Sequence, residues 1–198
     1  MAAAGFGRRF VLALLLLPAF PPGAASAIEV DRERVWALLA KPGHVALMRH
    51  ADAPGTGDPA GFRIGDCATQ RNLGERGREQ ARRLGEEFRR RAIPVSLVLT
   101  SQWCRARDTA ALMALGPIED EPTALNSFFG RPGEREAATV ALRQRLAALP
   151  ADAGLVLMVT HQVNITALTG VFPASGEMVV LKRDASGAVA TVGRLPAP

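Results

Sequence analysis

Cysteine, histidine and lysine are scarce in this chain of 198 residues, with two, three and two copies. Two cysteines exclude a disulfide-scaffold mini-protein and a four-cysteine zinc module. Three histidines leave any histidine chemistry a very short list of residues. Charged residues make up 22% and hydrophobic residues 48%, the balance of a soluble globular protein, which excludes a disordered or low-complexity chain. Only one long apolar run occurs, near the start, so a polytopic membrane protein is excluded as well. The length allows one domain, or at most two small ones.

Acid is missing altogether from residues 1–27. There Arg8 and Arg9 precede an apolar run from Phe10 to Phe20, broken only by Pro18. Pro21, Pro22 and Gly23 follow, then Ala25-Ser26-Ala27, an A-x-A cleavage site. This order is that of a secretory signal peptide, predicted to be cut after Ala27. As a helix the eleven-residue run would span ~16 Å, about half a bilayer core, so it is too short for a membrane anchor. The arginine pair leaves twin-arginine and general secretory export both open. No cysteine follows the cleavage site, which argues against a lipoprotein. The reading is residues 1–27 as signal peptide and residues 28–198 as a single domain, periplasmic or secreted, without a stable membrane span.

The chain is basic, with a net charge of +5, and 22 of its cations are arginine. Eight of these lie between Arg71 and Arg91, a density that would suit a nucleic-acid face. Four glutamates are interleaved with them, and Glu79/Arg83, Glu86/Arg90 and Glu87/Arg91 stand at the favourable i,i+4 spacing. No aromatic ladder accompanies the arginines, as single-strand binding would require. A solvated helix face is the better reading, and no nucleic-acid partner is expected.

Asp31 reads as the N-cap of a helix over Arg32–Ala40, closed by Pro42-Gly43. The apolar run Val45–Met48 then ends in Arg49-His50. A loop rich in glycine, proline and aspartate runs from Ala51 to about Asn72, long enough to suggest function. Gly77, Ala81, Leu84 and Phe88 recur at helical spacing and predict an amphipathic helix over 75–91. Val95–Leu99 reads as a strand ending in Thr100-Ser101, followed by helices over 103–115 and 134–149. Leu155–Val159 is a further strand, ending in Thr160-His161. Strands over Glu177–Lys182 and Ala188–Val192, joined by a turn at 184–187, close the chain. Apolar strands alternating with helices predict an α/β fold: a three-layer α/β/α sandwich with a mostly parallel sheet.

Parallel strands share a carboxyl edge, and ligands of open α/β sheets bind there. All three buried strands finish in reactive side chains: Arg49-His50, Ser101 with Arg105 four residues on, and Thr160-His161. Two histidines and two arginines at one edge suit an anion, most naturally a phosphoryl group. A cysteine nucleophile paired with arginine six residues later is absent, because Leu73 follows Cys67 and Ala110 follows Cys104 at that distance. G-x-x-x-x-G-K, H-E-x-x-H and D-x-D are absent too. Six strand residues put His44 ~20 Å from His50, too far for a shared metal. Histidine itself remains as nucleophile, with no metal and no cofactor.

These residues resemble the histidine phosphatase superfamily, also called phosphoglycerate-mutase-like. Leu47-Met48-Arg49-His50-Ala51 looks like its R-H-G signature, with Ala51 in place of glycine. Thr100-Ser101, Arg105-Ala106 and Thr109-Ala110 match its S-S-x-x-x-R-A-x-x-T-A segment. Arg71-Asn72-Leu73 through Gly77-Arg78-Glu79-Gln80-Ala81 looks like its L-T-x-x-G-x-x-Q-A helix start, and Val159-Thr160-His161 matches the second histidine. The likeness runs in order from about residue 44 to 170. It implies His50 as phosphoacceptor, with Arg49, Arg105 and His161 clamping the phosphoryl oxygens. The helix after Ser101 would turn its N-terminal dipole toward the same anion.

The chain departs from that pattern at the group that protonates the leaving group. An L-x-E segment is represented by Leu125-Asn126-Ser127, and the acid that larger members carry after the second histidine is Gln162. Asp52, Asp66 and Glu134 are the candidate donors. The resemblance implies a metal-independent phosphomonoester hydrolase working through phosphohistidine on a small phosphorylated substrate in the periplasm or cell envelope. The M-R-H-A form and the export signal also resemble envelope enzymes acting on lipopolysaccharide core sugar phosphates. A third reading is a non-catalytic phosphate-binding module of the same fold. If the long loop folds over the site, as the resemblance implies, Cys67 and Cys104 approach each other. Their alternatives are a disulfide or two buried free thiols.

Overall fold

Side chains of a strand alternate between its two faces, and here both faces are apolar. Ala46 and Met48 of β1 (His44–Arg49) turn to one side of the sheet, Val45 and Leu47 to the other. The same division holds for β4 (Leu155–Thr160) and β5 (Met178–Arg183). Such strands must be covered twice, and helices cover them twice. The computed structural model describes Met1, residues 23–150 and residues 152–198.

In chain order the elements are α1 (Gly23–Leu39), β1, α2 (Glu75–Arg90), β2 (Val95–Thr100), α3 (Cys104–Met113), β3 (Ile118–Asp120), α4 (Pro122–Leu125), α5 (Arg135–Ala147), β4, α6 (Gln162–Thr169), β5 and β6 (Val189–Leu195). One sheet has the order β3-β2-β4-β1-β5-β6. The first four strands in that order are parallel, and β5 and β6 add antiparallel pairs at one side. Val35, Trp36, Leu39, Ala81, Leu84, Phe88 and Met113 cover one face. Leu125, Leu142, Leu146 and Ile165 cover the other. The result is a three-layer α/β/α sandwich.

On α2 the residues Gly77, Ala81, Leu84, Gly85 and Phe88 are buried, the apolar stripe expected of a 3.6-residue period. Phe88 meets Trp36 of α1 edge to face, with ring centroids 5.1 Å apart. Gly77 is required by close approach, since a Cβ there would lie 1.9 Å from the Asp52 carbonyl oxygen. That contact seats the start of the long loop on α2. The charged stripe forms Glu79–Arg83 and Glu87–Arg91 ion pairs. Arg90 pairs with Glu87 rather than with Glu86, and Arg91 reaches across to Glu33 of α1.

The first helix starts earlier than its sequence signal. It begins at Gly23, because Ala24, Ala25 and Ala27 are the best of helix formers and no breaker separates them from Arg32. Asp31 therefore sits inside the helix, where its carboxylate pairs with Arg34 at 3.6 Å instead of capping. The apolar run Phe10–Phe20 of the expected signal peptide lies outside the described residues, as does most of that segment. Among the described residues, no helix is long and apolar enough to cross a membrane. Three elements had no sequence counterpart: β3, α4 and α6.

Candidate active site

Because β1, β2 and β4 are parallel, their last residues line up, with Arg49 opposite Thr160 and Thr100 opposite Val159. The residues just beyond, His50, Ser101 and His161, are thereby brought to one edge. They meet in a cleft of about 260 Å³ lined by Arg49, His50, Arg71, Arg105, Ser127 and His161, with Gly55–Gly57, Phe129, Gln162, Val163 and Phe172 around it.

His50 is buried, at 3% exposure, and its Nδ1 lies 2.7 Å from the Ala51 carbonyl oxygen. A carbonyl only accepts, so Nδ1 carries the proton and Nε2 keeps its lone pair. The backbone around it is fixed: His50 N donates to Thr160 O at 2.9 Å, and Ala51 N donates to Thr109 Oγ1 at 3.0 Å. Burial pushes the His50 imidazole down to about 3, reinforced by the charges of Arg105, Arg71 and Arg49 and opposed by its bond to Ala51. The second histidine, His161, lies 5.4 Å away between ring centroids. Burial holds it well below the ordinary histidine value, and His50 and the three arginines add to the effect. Its Nε2 is 2.8 Å from Ser101 Oγ, which also accepts from Trp103 N at 3.2 Å.

Arg105, on the first turn of α3, is 3% exposed and is held by the long loop. Its Nη1 and Nη2 donate to the two carboxylate oxygens of Asp58 at 2.7 and 3.1 Å, a bidentate pair. Asp58 accepts further from Trp103 Nε1 at 3.0 Å and from Arg71 N at 3.1 Å. Burial works to raise the Asp58 carboxyl, but these donors outweigh it and hold it below its ordinary value. Arg49 donates through Nη1 to the Pro173 carbonyl at 3.0 Å, and Arg71 through Nε to the Gly57 carbonyl at 2.7 Å. The Nε–H groups of Arg49 and Arg105 are buried and have no partner among the described residues. Arg49, Arg71 and Arg105 all line the cleft, and together they give it the positive charge that an anion needs.

Glu177 holds the far wall. This buried carboxylate accepts from Ala174 N at 2.8 Å and from Arg194 Nε at 2.5 Å. Its carbonyl accepts from Arg49 N at 3.1 Å. The loop that supplies Phe172 and the Pro173 carbonyl is thus tied to β1 itself.

Of the residues singled out in the sequence, Arg49, His50, Arg105 and His161 come together. The three candidate donors do not line the cleft. Asp66 caps the short 3₁₀ turn Cys67–Thr69 and pairs with Arg63, and Glu134 is exposed and paired with Arg131. Asp52 lies at the loop start, its backbone N donating to Gln80 Oε1. Among the described residues no carboxylate lines the cleft, and Ser127 lines it in the glutamate position of the L-x-E pattern. Nor do any three His, Cys, Asp or Glu residues among them stand close enough to hold a metal ion. Asp58, Phe129 and Phe172 had no sequence signal beyond lying in turn-rich segments, and Arg71 stood at the start of a motif-like segment without being read as a site residue. Cys67 and Cys104 form a disulfide, with Cα atoms 5.7 Å apart, that ties the long loop to the residue before Arg105.

The histidine pair makes acid stability a test of this burial. Both are neutral when folded and take up protons when unfolded, so their contribution is complete above the ordinary histidine value of 6.5. For His50 it is lost as pH falls from there toward 3, at about 1.4 kcal/mol per pH unit. His161 acts in the same direction. Urea unfolding at pH 7.5, 6 and 5 is expected to show a falling midpoint; equal midpoints would contradict the buried neutral pair.

In sequence, residues 45–125 match the histidine phosphatase superfamily (branch 1). No curated protein matches the chain. Among solved structures, the protein histidine phosphatase SixA complexed with tungstate is similar at a TM-score of 0.56 and 20% identity, covering 77% of this chain and 96% of that one. A putative phosphohistidine phosphatase SixA from Nakamurella multipartitia gives a TM-score of 0.58 and 21% identity, covering 79% and 99%. The mycobacterial glucosyl-3-phosphoglycerate phosphatase gives 0.52 and 16%, covering 74% and 93%. Sequence and fold point the same way: residues 45–125 match the histidine phosphatase superfamily, and the fold is similar to that of solved histidine phosphatases over about three quarters of the chain.

Proposed function

We propose that this protein is a metal-independent phosphomonoester hydrolase in which His50 is the phosphoacceptor. The observation that carries this reading is the neutral, buried His50 with a free Nε2 lone pair in a cleft that Arg49, Arg71, Arg105 and His161 also line. In the first half-reaction Nε2 attacks phosphorus in line with the departing oxygen. The P–O bond breaks as the P–N bond forms. Arg49, Arg105 and His161 hold the three equatorial oxygens while charge spreads over them. In the second half water attacks phosphorus, the P–N bond breaks, and inorganic phosphate leaves with Nε2 restored. Three arginines around both histidines disfavour a bound cation, which supports chemistry without a metal.

The workplace we infer is the periplasm or cell envelope. Arg8-Arg9, the apolar run after them and Ala25-Ser26-Ala27 support a leader ending at residue 27. The Cys67–Cys104 bridge supports it independently, since disulfides persist in oxidising compartments. The structural neighbours are named for phosphohistidine and for glucosyl-3-phosphoglycerate, and phosphoryl transfer is what those names share. An envelope sugar phosphate is the alternative substrate. It would have to lose an alkoxide, a poor leaving group in a cleft that no carboxylate lines among the described residues.

A phosphomonoester panel with EDTA present, combined with rapid acid-free quenching, tests the reading. The expected result is turnover undiminished by chelation and a base-stable, acid-labile phosphate on the protein. Activity lost to EDTA and restored by Zn²⁺ or Mg²⁺ would overturn metal independence. Phosphate binding without turnover would leave a non-catalytic module.

A further inference from the structure

Phe129 and Phe172 are 55% and 68% exposed, and they are the only exposed aromatic side chains among the described residues. Both line the same cleft. Phe129 leans over the glycine-rich part of the long loop, where a Cβ on Gly57 would stand 3.6 Å from its ring. Phe172 immediately precedes Pro173, whose carbonyl holds Arg49. Each ring therefore stands on a segment that also contacts or steadies the phosphate end of the cleft. Apolar rings left in water at the mouth of a cationic cleft fit a ligand that is anionic at one end and flat and apolar at the other.

The cleft adds a second, chemical constraint. No carboxylate lines it among the described residues, and the adjacent Asp58 is bound to Arg105, Trp103 and Arg71. A leaving group must then depart with little help from a protein acid. Phenols ionise near pH ~10, far below aliphatic alcohols, and leave as phenolates. We propose, on the His50 reading above, that this site is specific for aryl phosphomonoesters, with Phe129 and Phe172 gripping the ring. The P–O(aryl) bond breaks with its electron pair going to the phenolate oxygen, which takes a proton from water. Phosphorus stays on His50 Nε2 until water displaces it.

The test compares phenyl phosphate, cyclohexyl phosphate and glucose 6-phosphate on the wild type and on Phe129→Ala and Phe172→Ala. Phenyl phosphate is expected to exceed both others in kcat/KM by about 100-fold or more, the size of an unassisted leaving-group effect. Each phenylalanine variant is expected to raise KM for phenyl phosphate by roughly tenfold. Inhibition by inorganic phosphate should stay within about twofold of wild type, because phosphate carries no ring for the phenylalanines to grip. Both residues are exposed, so melting temperature should not move. Equal turnover of glucose 6-phosphate or cyclohexyl phosphate would overturn the proposal, as would an unchanged KM for phenyl phosphate in both variants. Absence of a trapped phosphoenzyme with every substrate would instead overturn the His50 reading, which separates the two failures.

Discussion

His50→Ala is expected to lower kcat/KM by on the order of 10⁴-fold or more, because it removes the nucleophile itself rather than one oxygen's ligand. The variant should still fold. The ring's one hydrogen bond goes to the neighbouring Ala51 carbonyl, so its loss leaves a single buried acceptor unpaired, a cost of about 1–3 kcal/mol. That cost is partly offset at acid pH, where the wild-type ring is held against protonation. Inorganic phosphate should still bind, since Arg49, Arg71, Arg105 and His161 remain. The decisive measurement pairs single-turnover kinetics with phosphate binding on the same preparation. Wild-type turnover in the variant would end the phosphohistidine mechanism; lost turnover with retained phosphate binding would establish it.

The second large effect concerns the bridge between Cys67 and Cys104, which closes a loop of 37 residues. On the chain-entropy account such a loop is worth about 4 kcal/mol. For a domain of this size that corresponds to roughly 10 °C in melting temperature. The double variant Cys67→Ser, Cys104→Ser, or the wild type under dithiothreitol, should melt lower by about that amount. Activity is expected to fall as well, because the released loop carries Asp58, Gly57 and Arg71. Gln70 Oε1, which accepts from Cys104 N at 3.0 Å, the Asp58–Arg105 pair and the bonds from Trp103 to Asp58 and from Arg105 to the Arg71 carbonyl would then hold the loop on the α3 side. Thiol titration of the denatured, unreduced protein gives the direct check, with no free thiol expected. An unchanged melting point on reduction would mean that those polar ties already suffice.

The sequence shows the catalytic edge clearly and the walls of the cleft poorly, for different physical reasons. Val45–Met48 and Leu155–Val159 are continuous apolar runs and Val95–Leu99 is interrupted only by Ser96; such runs mark buried parallel strands, and each leads into its reactive residues. The α2 stripe is equally plain, since its apolar and charged positions separate at helical spacing. β3 is invisible because its three residues are exposed and pair only with β2. α4 and α6 are too short for a period to develop. Asp58 and Arg105 are 47 positions apart, and only the folded loop makes them a pair. Of the candidate donors, Asp66 and Glu134 are paired with arginines away from the cleft, while Asp52 does not line it but lies close enough for its charge to act on Arg49 and Arg71.

The cleft's floor and its walls belong to separate parts of the chain. Arg49, His50, Ser101 and His161 sit at the ends of strands buried on both faces, where a changed residue disturbs the packed centre. Phe129 and Phe172 stand on surface segments whose replacement disturbs little. Substrate range and reaction chemistry can therefore drift independently. A relative of this protein could exchange its wall residues, and with them its preferred leaving group, while attacking phosphorus in the same way.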